Sequence, residues 1–253
     1  MGRIFLANVG VNAAHRLSSP LNEDGGFTLV TIPEERDLPG LVRYGDIPAI
    51  RAVVPEKYWP RATHYDPEFD TLTYGDNCGW APRAAALKTC RPGDWIFFIA
   101  RLMGSGGPVF AVVGCLEIEA ILRDVRQRPN DQELARFGTN AHVRRGLADP
   151  AYWDGFWVFG GSPRSRAFSR ALVVGREEAE LLLRNRSGEA WDWRANRTEL
   201  QTIGSYTRSC RCVIDPALDP GRADEWWSLL RDRVGFAPWQ SHSKPKPSRP
   251  YST

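Results

Sequence analysis

The hydrophobic positions of this chain gather in short runs rather than in long helical stripes. Residues 3–9 (RIFLANV) predict a first strand closed by Gly10, and residues 27–32 (FTLVTI) predict a second, stopped by Pro33. The centre carries the plainest signal. Residues 95–102 (WIFFIARL) and 109–118 (VFAVVGCLEI) are β-rich runs joined by Met103-Gly104-Ser105-Gly106-Gly107-Pro108, a hairpin connection. Their near-continuous apolar character predicts strands covered on both faces or closed into a small barrel. Residues 156–159 and 167–174 read as further strands, and 202–214 contain a last one. Helical patterns lie at 80–90, 131–137, 177–184 and 223–234; in the last, Trp226, Trp227, Leu229 and Leu230 form the inward stripe. Residues 39–76, crowded with Pro, Gly, Tyr and Asp, predict a long irregular excursion with one short helix. The pattern as a whole predicts an α+β fold, a small mixed or antiparallel barrel-like sheet flanked by short helices and long loops. Without internal repeats or a clean linker, residues 1–239 are expected to form one domain. The Pro-, Ser- and Lys-bearing residues 240–253 are expected to be a disordered tail.

Composition adds to this picture in three places. With 253 residues, 42% hydrophobic and 25% charged, the chain has the make-up of an ordinary globular protein. Lys occurs only at Lys57, Lys88, Lys244 and Lys246, so the other 29 of the 33 basic residues are Arg. Codon preference can produce such a bias, but Arg also makes paired hydrogen bonds to phosphate and stacks on flat rings. The net charge of +3 leaves any nucleic-acid site to local clustering. The 10 Trp fit a role in holding bases as well as a role in the core. The five cysteines are odd in number and no pair has C-x-x-C spacing, which predicts reduced thiols. The opening MGRIFLANVG is too short for a secretory signal, and no apolar run approaches the roughly 18 to 20 residues of a membrane helix. The expectation is a soluble cytoplasmic protein with no membrane partner.

The candidate chemistry sits in two segments. No HExxH, GxSxG or Walker pattern occurs, and the Gly104–Gly107 run joins two strands rather than opening a phosphate-binding helix. His64-Tyr65-Asp66-Pro67-Glu68-Phe69-Asp70, with Thr73-Tyr74-Gly75-Asp76, puts one His and four carboxylates into a loop region. Such a set could bind a divalent metal or do acid–base work, and Asp beside Pro or Gly also closes turns locally. The second segment runs from Asn140-Ala141-His142-Val143-Arg144-Arg145 to Gly160-Gly161-Ser162-Pro163-Arg164-Ser165-Arg166. It mixes Arg, aromatics and small residues in the way that a phosphate or base requires, although Trp157 and Phe159 could equally alternate into a core.

In order along the chain stand Ser19-Pro20, Ile32-Pro33-Glu34, His64-x-Asp66-Pro67, Gly93-Asp94-Trp95-Ile96-Phe97-Phe98, Val112-Val113-Gly114-x-Leu116-x-Ile118 and Ala141-His142. Over residues 3–215 this order resembles the family called nucleotide modification associated domain 3. The resemblance implies a place in systems that make or handle modified nucleobases, with nucleic acid or a modified nucleotide as partner; it implies no particular reaction and no identified cofactor. The opening departs from the family's usual Ser-Arg-Lys-Gly run, with Ala7-Asn8-Val9-Gly10-Val11-Asn12 in its place. The hairpin lacks the usual Phe-Gly step, which marks a divergent branch. The hairpin and later strands also look like the PUA-related small barrels, which include readers of modified bases.

Three functional expectations follow. The first is a base-reading module, with a pocket from residues 8–16, 64–76 and 142–145. There Asn8, Asn12, Arg16 and His142 contact the ligand, Trp80, Trp153 or Trp157 stacks on the base, and Arg144, Arg145, Arg164 and Arg166 take the phosphates. The second is an enzyme of base or nucleotide modification with His15, His64, Asp66 and Asp76 as a catalytic acid–base or metal-binding set; no residue is assigned outright as a metal ligand. The third is a non-catalytic interaction protein. The enzyme expectation requires His64 and at least two carboxylates to converge on one cavity, whereas the reader requires an open aromatic slot beside clustered arginines.

Overall fold

In the computed structural model of the protein, the described residues are 1–183, 190, 192–207 and 211–236. The expected tail at 240–253 lies outside them. Among the described residues there are eight strands: β1 (Ile4–Val9), β2 (Ser19–Pro20), β3 (Thr73–Asp76), β4 (Trp95–Gly104), β5 (Gly107–Val125), β6 (Phe156–Gly161), β7 (Arg166–Val173) and β8 (Arg211–Ile214). The helices are α1 (Pro48–Arg51), α2 (Asp131–Phe137), α3 (Ala141–Ala148), α4 (Arg176–Leu182), α5 (Glu199–Tyr206) and α6 (Pro220–Val234). The fold is thus mixed α+β.

The strands form one mixed sheet in the order β3-β6-β5-β4-β1-β8, with β2 beside β4 and β7 beside β5. β4 and β5 make the predicted antiparallel hairpin, while β1 runs parallel to β4 from Ile4 opposite Trp95 to Val9 opposite Ala100. The sheet is open. The expected barrel does not close, because β3 and β8 stand at opposite ends of the strand order and have no pairing with each other among the described residues. Both are four-residue strands, short enough to leave little edge to be paired.

Burial on both faces is what the apolar runs foretold. Alternate residues point to opposite sides of a strand. Ile4 and Leu6 of β1 with Trp95, Phe97 and Ile99 of β4 therefore enter one core, with Trp226, Trp227 and Leu230 of α6. Phe5 and Ala7 with Ile96, Phe98 and Ala100 enter the other, against Tyr74, Leu87 and Phe159. The first core is aromatic: Trp95 meets Trp227 at 5.1 Å between ring centroids, and Phe97 meets Trp226 at 5.2 Å. A smaller cluster packs Phe137 of α2 and Val143 of α3 against Phe156 and Val158 of β6. The irregular excursion has a core of its own, made by Val11, Val30, Tyr44, Ile50 and Val54.

Several elements differ from expectation. Residues 27–32 are not a ladder strand, since their polar groups are satisfied one at a time. Thr28 N–H donates to Pro20, Val11 N–H donates to the Val30 carbonyl, Val30 N–H donates to Ser19 Oγ, and Ile32 accepts from His64 N–H. Residues 80–90 hold a 3-10 helix, Pro82–Thr89, rather than an α-helix. β5 continues to Val125, because its polar second half pairs with β6. Helices α3 and α5 stand where no helix is predicted, while β8 lies inside the segment 202–214 expected to contain a strand; each helix is opened by a side-chain cap, from Asn140 and Thr198 respectively. No helix of the described residues is long and apolar enough to cross a membrane.

Candidate catalytic cleft

A cleft of about 1400 Å³ opens beside the end of β1 and the loop that follows it, and takes walls from residues 32–35, β3, α3 and α5. At its floor three side chains from distant parts of the chain meet. His64 Nε2 and His142 Nε2 each lie 3.9 Å from Asp66 Oδ2, and the two imidazole rings stand edge to face with centroids 4.7 Å apart. One imidazole nitrogen or carboxylate oxygen from each of the three lies within 4.8 Å of the others.

Local folding explains why they meet. His64 is fixed on the excursion by its own N–H, which donates to the Ile32 carbonyl at 2.8 Å, and by the neighbouring Thr31–Thr63 hydroxyl pair. Asp66 follows two residues on, and its Oδ2 accepts from Gly75 N–H of β3 at 2.7 Å. Asn140 caps α3 through its Oδ1, which accepts from His142 N–H at 3.0 Å, while its Nδ2 reaches Asp66 Oδ2 at 3.4 Å. One amide therefore ties the start of the His142 helix to the buried carboxyl. Gly75 leaves the room for this: a Cβ there would stand 2.5 Å from His142 Cδ2 and 3.1 Å from Asp66 Oδ2.

A second layer orients the rings. His64 Nδ1 is 2.8 Å from Glu34 Oε1; a carboxylate only accepts, so Nδ1 carries a proton and donates it. Arg145 donates to His142 Nδ1 at 2.8 Å and approaches Glu34 Oε2 at 3.8 Å. Asp66 Oδ1 is buried and has no hydrogen-bond partner among the described residues. Burial pushes the Asp66 carboxyl well above its ordinary range, against the Gly75 and Asn140 hydrogen bonds. It also drives the His142 imidazole well below its ordinary range, helped by the charges of His64, Arg145 and Arg83. For Glu34 burial acts upward, but the His64 hydrogen bond and charge, with Arg145, outweigh it and hold that carboxyl low.

Asp76, at the end of β3, lies in the same cleft and is gripped by Arg83 through two hydrogen bonds of 2.8 and 3.0 Å and by the Tyr74 hydroxyl at 2.8 Å. Asn8, Asn12 and His15 also line the cleft. Asn8 Nδ2 donates to Thr207 Oγ1, and His15 Nδ1 accepts from Asn12 N–H. The remaining candidates lie outside it. Arg16 and Trp80 are exposed, and Trp80 stands apart from the cleft wall. Trp153 packs beside Phe156, and Trp157 lies under the Arg123 guanidinium. Arg144 donates to the Thr139 carbonyl at 2.6 Å. Arg164 grips the buried Glu117 together with Ser162, and Arg166 lies over the Phe236 ring. Of the segment read as an Arg and aromatic cluster, His142 and Arg145 line the cleft and Asn140 supports its floor.

Residues that the sequence reading left unassigned stand beside them: Glu34 and Asn140 at the floor, and Arg61, Arg83, Arg101 and Arg197 on the walls. Glu34 closes the Ile32-Pro33-Glu34 motif, and Asn140 precedes an Ala-His pair in the manner of a helix cap; both signals were in the sequence. No curated protein and no solved structure matches this chain. The model of nucleotide modification associated domain 3 matches residues 3–210, a span that includes every residue of the cleft floor, and the chain belongs to that family.

Proposed function

We propose that the cleft binds a nucleotide, or a nucleobase presented by nucleic acid, and acts on it chemically as an enzyme of base or nucleotide modification. The observation that carries this reading is the convergence of His64, Asp66 and His142, backed by Glu34, on the floor of one cleft. Groups whose surroundings drive their proton affinities in opposite senses recur at reaction sites, and here they stand together on a cleft floor. His64 presents its Nε2 and Asp66 a carboxyl, which are groups able to accept or deliver a proton or to hold an ion that does so. The wall arginines Arg61, Arg101 and Arg197 supply charge for phosphate oxygens, and the polar side chains of Asn8, Asn12 and Gln201 supply donors and acceptors for a base edge or sugar.

A second reading, a base reader without turnover, draws on the same wall arginines. Among the described residues it lacks the tryptophan slot it would use, since Trp80, Trp153 and Trp157 lie outside the cleft, and Tyr74 and Phe110 stand on its wall.

The test is incubation of purified protein with a panel of modified nucleosides, nucleotides and oligonucleotides, followed by mass spectrometry of the products and by binding measurements. A product formed by the wild type and lost in Asp66→Asn and His64→Ala supports the enzyme. Binding without product, equally tight in both variants, overturns it in favour of the reader.

A further inference from the structure

The floor of the cleft has the composition of a metal centre, formed by His64, Asp66 and His142 rather than by the His15, His64, Asp66 and Asp76 set expected from the sequence. Two imidazoles and one carboxylate are the donor set that borderline divalent ions such as Zn²⁺ and Fe²⁺ prefer, whereas Mg²⁺ and Ca²⁺ favour all-oxygen cages. Donors around a tetrahedral ion bound at about 2.1 Å sit about 3.4 Å apart. The 3.9 Å separations from Asp66 Oδ2 to both imidazoles need a shift of about half an ångström to close on such an ion, and the donor set as a whole, within 4.8 Å, one of at most about 1.4 Å.

Two independent features point to an ion. Asp66 Oδ1 is buried with no partner among the described residues, an unpaid cost for a carboxyl in the interior unless something positive binds it. His64 donates from Nδ1 to the Glu34 carboxylate, the arrangement by which a ligating histidine is held in the tautomer whose Nε2 faces the metal. We propose that His64 Nε2, the Asp66 carboxylate and His142 Nε2 hold one divalent transition-metal ion, with its remaining positions open to the cleft for water or substrate.

The proposal carries a consequence at Arg145. In the structure Arg145 donates to His142 Nδ1, so that nitrogen bears the lone pair and Nε2 the proton. Ligation through Nε2 moves the proton to Nδ1, by exchange with water, and leaves two donors facing each other. Arg145 must then swing to the Glu34 carboxylate, whose Oε2 is already 3.8 Å away. An Arg145→Gln variant, whose amide oxygen can accept from Nδ1–H, is expected to bind the ion at least as tightly as the wild type.

The proposal rests on the reading of the cleft as a reaction site only for its purpose; the ion itself is testable without substrate. Chelator-treated full-length protein is titrated with Co²⁺ and Zn²⁺ by calorimetry, by Co²⁺ visible absorption and by thermal melting, with excess Mg²⁺ as competitor. Expected are one ion per chain, ligand-field bands of a low-symmetry nitrogen and oxygen site, a raised melting temperature and no displacement by Mg²⁺. Asp66→Asn, close to isosteric, and His64→Ala are expected to weaken binding by at least about 10–100-fold, and circular dichroism identifies any variant that fails to fold. X-ray absorption of the Zn²⁺-loaded wild type, which needs no variant, should show histidine scattering. Absence of saturable binding, binding undiminished in folded Asp66→Asn and His64→Ala, or a shell without histidine overturns the proposal. An ion bound as described in a protein that turns over no nucleotide or base leaves the metal site standing and defeats the functional reading instead.

Discussion

Gly75→Ala tests the packing of the cleft floor most directly. Gly75 sits in β3 with an ordinary negative φ, so Ala meets no backbone strain there. Elsewhere such a change would stabilise by about 0.4–1 kcal/mol, through the reduced freedom of the unfolded chain. Here the added methyl would stand 2.5 Å from His142 Cδ2 and 2.8 Å from Asn140 Oδ1, against the roughly 3.5–4.0 Å of a comfortable contact. His142 must yield by about 1 Å, yet it is wedged between Phe156 and Arg145. Overpacking of this kind costs about 1–3 kcal/mol, which exceeds the entropic gain. For a chain of this size the melting temperature should fall by roughly 2–8 °C. Gly106→Ala, where a Cβ meets nothing within 4 Å, is the control and should change little. Displacing His142 by such a distance should also weaken Zn²⁺ binding by about tenfold or more. Calorimetric melting of both variants, with and without Zn²⁺, is the assay. A Gly75→Ala protein that melts with the wild type and binds the ion equally well would refute the close approach of β3 to the two site residues.

Other perturbations separate structural from chemical roles. Arg164→Ala deprives the buried Glu117 of its guanidinium, and should cost about 1–3 kcal/mol in urea unfolding while leaving nucleotide binding and its salt dependence unchanged. Trp226→Ala, which empties the centre of the core between α6 and the sheet, should cost about 3–5 kcal/mol by the same assay. Glu34 is held below its ordinary value of 4.5, so its contribution to stability is present above that pH and is lost as the pH falls through the lower native value. The urea midpoint of the wild type should therefore decline more steeply below pH 4.5 than that of Glu34→Gln; parallel curves would contradict the depressed Glu34 carboxyl.

Local chemistry was enough to place the elements whose hydrophobic pattern is unambiguous. The hairpin of β4 and β5 and the Trp-bearing α6 are written in runs that cannot be solvated, and α2 is announced by the Asn130–Glu133 capping box. Where a segment's partners lie far away in sequence, local pattern misleads. Residues 27–32 are as β-prone as any in the chain, yet single hydrogen bonds to Ser19, Val11 and His64 replace a strand ladder. The polar half of β5 becomes a strand because β6 pairs with it. The site divides in the same way. Residue types fixed the candidates His64, Asp66 and Asp76, and the Ala141-His142 step, but only the approach of α3 to β3 sets His142 beside Asp66 across 74 to 76 residues of chain. Only the fold decides that Arg164 grips Glu117 while Arg145 reaches the cleft, because two arginines nineteen residues apart differ in nothing but the surfaces onto which a helix and the turn between β6 and β7 direct them.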